Sequence, residues 1–377
     1  MNFQPLSEYL ETLFDWGLPM YDCIVWQDHK ELFRQKNGFI DLASRRPHEP
    51  NVKYFVYSCS KAVTTAAALT LLEKGKIKLT DPLAAYFPEC AHLSVADQIG
   101  GGEVSIREAE GEITLWNLFT MTAGFNYNLT SPSLTEAVAE KGEAFTSRDL
   151  VRALAKEPLS FDPGNRWQYS LCHDVLAGVV EEVTGRPFGD FVRETIFAPL
   201  GMENSSYRMV PDEGEPFVTQ YRYNEEEKSV SEIPPTNPYV LSPNHHSGGA
   251  GMISTPEDFV RFGDAMAGGG TGWTGAKILS PETVALWHEG ALSPTQARSY
   301  VWRQFRGTTY GLGVYKQVSE SPDGNLSIFG WNGSTGGMLM MCPEARTALF
   351  YAQHTRGNPE YPVCNELREV LFRCIRG

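Results

Sequence analysis

Strand-like sequence occupies both ends of this 377-residue chain, and helical sequence fills the middle. Near the start, residues 22–27 (DCIVWQ) and 31–35 flank a polar turn, Asp28-His29-Lys30, and a third short segment ends in Gly38-Phe39-Ile40-Asp41. Strand character returns at 311–318, 326–330, 337–341 and 348–354. Between them lie apolar helical periods at 115–122, 148–155, 173–184, 188–196 and 256–267, divided by Gly- and Pro-rich loops. Amphipathic helices are predicted at 4–16, ending at Gly17-Leu18-Pro19, and at 363–375. Strands that come from both termini predict one sheet with a helical domain inserted into it. The expected division is a discontinuous α/β (α+β) sheet domain, residues 1–79 and 295–377, around a mainly helical domain, residues 80–294. Its length suits two lobes, since a single core is usually built from about 100–200 residues.

Charge narrows the function. The chain has 46 acidic against 32 basic residues, a formal net charge of −14. A nucleic-acid protein needs a basic footprint, so that class is excluded. The seven Cys are scattered without a C-x-x-C pair, which suits free thiols in a reducing compartment. The first residues, MNFQPLSEYLETLFDW, carry acids where a secretory signal has a basic start and an apolar stretch. The most apolar helical window, 62–72, is too short to span a bilayer. The expectation is a cytoplasmic protein with no membrane and no nucleic-acid partner.

The sharpest chemical signal is Ser58-Cys59-Ser60-Lys61 at the start of an Ala- and Leu-rich helix that closes at Gly75. Positions i and i+3 share a helix face, so the Ser58 hydroxyl and the Lys61 amine can meet. The helix N-terminus adds free N–H groups and a partial positive charge. Both lower the cost of a Ser alkoxide and of a neutral lysine that accepts its proton. The same four residues also fit an N-cap serine with a solvated lysine one turn later. Ser60 has Val63, not Lys, three residues on.

Further segments follow in order: Lys78-Leu-Thr-Asp-Pro-Leu83, residues 113–125 (ITLWNLFTMTAGF), Gly164-Asn-Arg-Trp-Gln-Tyr169-Ser170, residues 181–202 with Thr184-Gly-Arg-Pro187 and Pro199-Leu-Gly-Met202, and Ser247-Gly-Gly-Ala-Gly251 through Asp258. With Ser58-x-x-Lys61 they resemble the serine β-lactamase and penicillin-recognising superfamily, most closely its class C-like branch and esterase relatives. The resemblance runs roughly from residue 38 to 341. It implies the β-lactamase/transpeptidase-like fold, with the active site between the two domains. Met121 and Ala123 stand where the family usually has His and Ser.

The resemblance assigns roles. Ser58 would be the nucleophile, and Lys61 and Tyr169 would handle its proton; without it, Tyr169 reads as a core tyrosine. Leu171 stands where lactamases and peptidases have an Asn that holds a substrate amide, and is expected to shape specificity. Trp331-Asn332-Gly333, after strand 326–330, is like the W-x-G of family VIII carboxylesterases and replaces a Lys that would bind a substrate carboxylate. It also reads as a tight hairpin with a packing Trp. The Ser58 and Ser334 N–H groups would form the oxyanion hole. Leu171 and Trp331 favour an esterase over a β-lactamase or DD-peptidase; the expected partner is a small-molecule ester or amide substrate, with no metal or organic cofactor. A β-lactamase or D-amino-acid peptidase is the alternative, its carboxylate held by an arginine such as Arg303, Arg306 or Arg356; an inactive scaffold is another. His245-His246 and His354 show no metal or triad spacing.

Overall fold

A computed structural model describes residues 1–99, 103–319 and 325–377. Its centre is a seven-stranded antiparallel sheet in the order Thr309–Tyr310, Tyr315–Ser319, Leu326–Asn332, Met338–Cys342, Thr347–Ala352, Met20–Gln27, Lys30–Gly38. The two ends of the chain meet inside it: Met20–Gln27 pairs with Thr347–Ala352, with Ile24 opposite Phe350. The sheet from both termini is as expected. Thr347–Ala352 (TALFYA) is buried at every position, because both faces of the sheet are covered. Lys30–Gly38 is the exposed edge, and its charged residues discourage pairing with another chain.

On one face lies the helix Pro256–Ala267. Phe259 packs on Phe350 with ring centroids 4.7 Å apart, and Gly263 sits so close that a Cβ would be 2.9 Å from Leu339 and 3.1 Å from Ala348. On the other face the two terminal helices, Gln4–Glu11 and Glu360–Arg376, pack side by side. Phe3 stacks on Phe33 of the sheet edge at 5.4 Å, and the Arg368 guanidinium lies 5.0 Å from the Tyr315 ring. The N-terminal helix is α-helical only to Glu11 and finishes as a 3₁₀ turn, Thr12–Trp16, against Gly17.

The inserted stretch supplies the helices Leu115–Phe119, Pro132–Lys141, Ser147–Leu154 and Cys172–Thr184; Cys172–Thr184 packs on Ser60–Glu73 and also on Leu115–Phe119 and Ser147–Leu154, and Pro132–Lys141 packs on Ser147–Leu154. Ser60–Leu71 is buried on every side, as expected of a helix that is apolar all round. Two hairpins were not legible in this stretch: Ser94–Ile99 with Glu103–Glu108, and Gln220–Asn224 with Ser229–Ile233. Their outward faces are polar, and Val104 and Ile106 remain exposed, so no buried stripe marked them. Tyr54–Phe55 pairs with Met252–Ser254 and not with the large sheet. The helix Pro256–Ala267 also belongs to residues 80–294 in sequence but packs on the sheet.

Candidate active site

Ser58 stands where the Tyr54–Phe55 strand bends into the buried helix. The residue before it, Tyr57, has φ +45°, a left-handed conformation that a bulky side chain rarely adopts. Full burial of the Tyr57 ring and its hydroxyl bond to Gln220 hold it there. A 3₁₀ turn, Tyr57–Cys59, then feeds Ser60–Glu73. Its first closing bond is Cys59 N–H to the Val56 carbonyl at 3.1 Å, so the Ser58 N–H precedes the hydrogen-bond ladder, as donors of a first helical turn do. Ser60, the other nearby serine, donates to the Tyr57 carbonyl at 2.5 Å and accepts from Met252 N–H at 3.2 Å. It is locked into the core.

Lys61 is fully buried. Its Nζ donates to the Gly249 carbonyl at 2.7 Å and lies 3.3 Å from Ser58 Oγ and 3.4 Å from Tyr127 Oη. Burial lowers its pKa to about 7, against the opposing pull of the Asp174 carboxylate and, more weakly, of Cys59 and Cys172. Asp174 is buried too. It accepts from the Ser247 hydroxyl at 2.5 Å and from Gly249 N–H at 3.2 Å. Burial raises its pKa while the Lys61 charge lowers it. Gly249 touches both ions: its N–H serves Asp174 and its carbonyl serves Lys61. A Cβ there would come within 2.4 Å of Asp174 Oδ2 and 3.3 Å of Tyr127 Oη, so only glycine fits between them.

Tyr169 completes the cluster. Its hydroxyl donates to Ser58 Oγ at 2.7 Å. Its ring stacks on Tyr127 at 5.2 Å, and Lys61 Nζ lies 4.6 Å from the Tyr169 ring centroid. Ser58 and Lys61, three residues apart, thus meet Tyr169, 111 residues further along the chain, around one oxygen.

The turn after Leu326–Asn332 faces this oxygen's helix. Gly333 N–H donates to Gly337 at 2.7 Å and Gly336 N–H to Gly333 at 2.9 Å, which leaves the Ser334 N–H outside the turn's own bonds. Gly333 has to be glycine because a Cβ would sit 2.5 Å from the Val56 carbonyl, two residues before Ser58. Cys59 pins the two segments, with Sγ 3.4 Å from the carbonyls of Trp331 and of Gly337.

A cleft of about 250 Å³ opens on Ser58. Tyr127, Tyr169, Tyr239, Trp302, Phe305 and Trp331 form its aromatic walls, and Gln304, Asn332, Gly333 and Ser334 its polar fringe. Trp331 stacks on Phe305 at 4.6 Å, and Trp302 leans on Tyr169 at the same separation. A larger hollow of about 630 Å³ lies under the Ser94–Ile99 hairpin. Its Asp97 is held by Arg107 and its Ser160 accepts from Gln168 Nε2, so neither is paired with the other, and size alone does not mark the chemical site.

The structure places Trp331, Asn332, Gly333 and Ser334 at the cleft with the Ser58, Lys61 and Tyr169 cluster. It does not place Leu171 there. That side chain is 1 % exposed, its residue caps the Cys172–Thr184 helix, and its N–H donates to Asn126. Leu171 packs in the core because the helix start turns it away from Ser58. Tyr127, Tyr239, Trp302 and Phe305 were missed; the first three sit in irregular segments and Phe305 in a single 3₁₀ turn, Arg303–Phe305, with no motif of their own. His245 and His246 accept backbone N–H bonds from Leu241 and Gly189 and lie away from the cleft. His354 accepts from Phe55 N–H and is buried behind the strand. Among the described residues no cluster of His, Cys, Asp or Glu is arranged to hold a metal, and no helix is long and apolar enough to cross a membrane.

A half-buried serine and a buried lysine at a helix start face a sheet-borne turn across a cleft, within the β-lactamase/transpeptidase-like fold of a serine hydrolase. The chain belongs to the Beta-lactamase family, whose family model matches residues 21–371. It is 29% identical over 337 residues to Protein Rv1367c of Mycobacterium tuberculosis, covering 87% of this chain and 84% of that one. It is also 29% identical over 343 residues to Esterase EstB of Burkholderia gladioli, covering 84% and 81%. Among solved structures, EstCE1, described as a hydrolase with promiscuous acyltransferase activity, superposes with a TM-score of 0.76 at 20% identity, over 98% of this chain and 99% of that one. That likeness is one of fold.

Proposed function

We propose that this protein is a carboxylesterase-like enzyme that cleaves small esters through an acyl-enzyme on Ser58. The observation that carries this is the pair of contacts at Ser58 Oγ: Tyr169 Oη at 2.7 Å and Lys61 Nζ at 3.3 Å, with the lysine pKa lowered to about 7. Near neutral pH a substantial share of Lys61 is then uncharged and can take the Ser58 proton as Oγ attacks the ester carbonyl. The N–H groups of Ser58 and Ser334 receive the oxyanion. Collapse of the tetrahedral intermediate expels the alcohol, protonated by Tyr169, which lysine reprotonates in turn. Water, activated by the same Tyr169 and Lys61, attacks the acyl carbonyl, and the acid leaves with Ser58 restored. The aromatic walls favour an apolar acyl or alcohol group, in keeping with the likeness to Esterase EstB.

The test is hydrolysis of short p-nitrophenyl esters by wild type and Ser58→Ala, with intact mass recorded after incubation with a penicillin. Ester turnover that the variant loses, without a stable penicillin adduct, is the expected result. A Ser58-dependent penicilloyl adduct or penicillin turnover would transfer the reading to a lactamase or peptidase.

A further inference from the structure

Of the described non-glycine residues with a positive φ, only Tyr57 and Met121 are buried; the others lie in exposed or half-buried turns. A bulky ring at φ +45° persists only where its surroundings leave it no alternative. Tyr57 directly precedes Ser58, so its backbone helps set the direction in which the chain delivers the Ser58 hydroxyl. Its ring stands outside the main core. With Phe55, Phe217, Ala250 and Ile253 it forms a separate small one, with Tyr239 packed against it. Phe217 meets Phe55 edge to face at 4.9 Å, and Tyr239 meets Tyr57 in the same way at 5.7 Å.

Segment 216–221 holds the strand that leads into Tyr57. Val218 N–H donates to the Lys53 carbonyl at 3.1 Å, and Lys53 N–H to the Pro216 carbonyl at 2.9 Å. His354 bridges the two, accepting from Phe55 N–H at 3.2 Å and donating to the Val218 carbonyl at 3.0 Å. Gln220 is the last of these supports and the one that reaches the Tyr57 side chain. It is 1 % exposed. Its amide N–H donates to the Pro234 carbonyl at 2.9 Å, and its amide oxygen accepts from the Tyr57 hydroxyl. A buried amide is costly unless both ends are bonded. Both ends are bonded here, and they tie Tyr57 to the hairpin Gln220–Asn224 and Ser229–Ile233, which contributes no described residue to the cleft.

We propose that Gln220 is a positioning residue for the nucleophile: by fixing the Tyr57 hydroxyl it holds the left-handed backbone at residue 57, and so aims Ser58 Oγ at the carbonyl in the cleft. This rests on the reading of Ser58 as nucleophile but not on esters being its substrate. It gives the hairpin at residues 220–233, remote from the cleft, a share in the rate of the first chemical step.

The experiment follows the rate at which a fluorophosphonate labels Ser58, a step in which Oγ displaces fluoride from phosphorus, and in parallel kcat/KM for p-nitrophenyl butyrate. The variants are Tyr57→Phe, Gln220→Met, the two combined, Tyr57→Ala and Tyr57→Gly, each checked by thermal melting. Tyr57→Phe and Gln220→Met are expected to slow labelling about ten-fold each, and the combination no further, because both cut the same bond. Tyr57→Ala is expected to lose about 10²-fold, and Tyr57→Gly to recover part of that loss, because glycine adopts a positive φ without a Cβ penalty. A ring that merely fills space gives the opposite order, glycine below alanine. That order, or labelling within about two-fold of wild type in both Tyr57→Phe and Gln220→Met, overturns the proposal and leaves Ser58 as nucleophile. If the alanine and glycine variants do not fold, Tyr57→Phe and Gln220→Met decide alone. Labelling of wild type without ester turnover sinks the esterase reading, and the labelling rates then decide the positioning role. Wild type that is neither labelled nor active removes Ser58 as nucleophile and the proposal with it.

Discussion

Lys61 is the residue on which the pH behaviour of this site turns. To accept the Ser58 proton it has to be neutral, so activity should rise with pH through an inflection near its pKa of about 7. Asp174 holds that value up, because its negative charge favours the ammonium. Removing the charge in Asp174→Asn should therefore move the acid limb of kcat/KM to lower pH, whereas a merely structural Asp174 would lower activity without moving the limb. The other groups that face Lys61, Cys59 and Cys172, pull in the same direction as Asp174 but more weakly, so they do not cancel the shift. At this scale the sequence was most informative. Ser58 and Lys61 were visible because i and i+3 must share a helix face, and Tyr169 because the surrounding segment resembled a family. Asp174 was not visible: its meaning depends on the Ser247–Gly251 loop folding back between two helices.

Among elements, the close fit of the Trp331–Gly337 turn against the start of the nucleophile helix matters most. Gly333→Ala would drive a Cβ to 2.5 Å from the Val56 carbonyl, closer than real Cβ contacts come, so the turn and its Ser334 N–H have to retreat. The expected outcome is a fall in kcat of about 10²-fold, the cost of one lost oxyanion donor, with the fold retained by circular dichroism. Near-normal kcat would mean that Ser334 is not part of the oxyanion site. The sheet and the buried helix were legible from apolar runs, since full burial leaves a continuous signature. The polar hairpins at residues 94–108 and 220–233 left none. The pairing of Tyr54–Phe55 with Met252–Ser254 was beyond local pattern, because register between distant strands is set by tertiary packing.

For the molecule as a whole, buried histidines set an acid limit. Burial lowers His354 and His288 to about 4 and His245 to about 3, and His173 falls well below its usual value. In the unfolded chain each would titrate near 6.5. Between pH 6.5 and about 4 the unfolded state therefore binds more protons than the folded state, and stability falls with pH across that window. Urea midpoints should drop steadily from pH 7 to pH 5, and His354→Asn should flatten the slope; a level profile in wild type would rule this out. One further consequence follows from the pairing of the two chain ends. The Gln353 side-chain amide donates to the Met20 carbonyl across 333 residues of sequence, and the strands Met20–Gln27 and Thr347–Ala352 lie side by side in the sheet. During translation, the first strands emerge long before their partner exists. At about 5–20 residues per second they wait roughly 20–70 s, unpaired and prone to misassociation, so this enzyme is expected to become active only once residues 347–352 have been made and can pair with them.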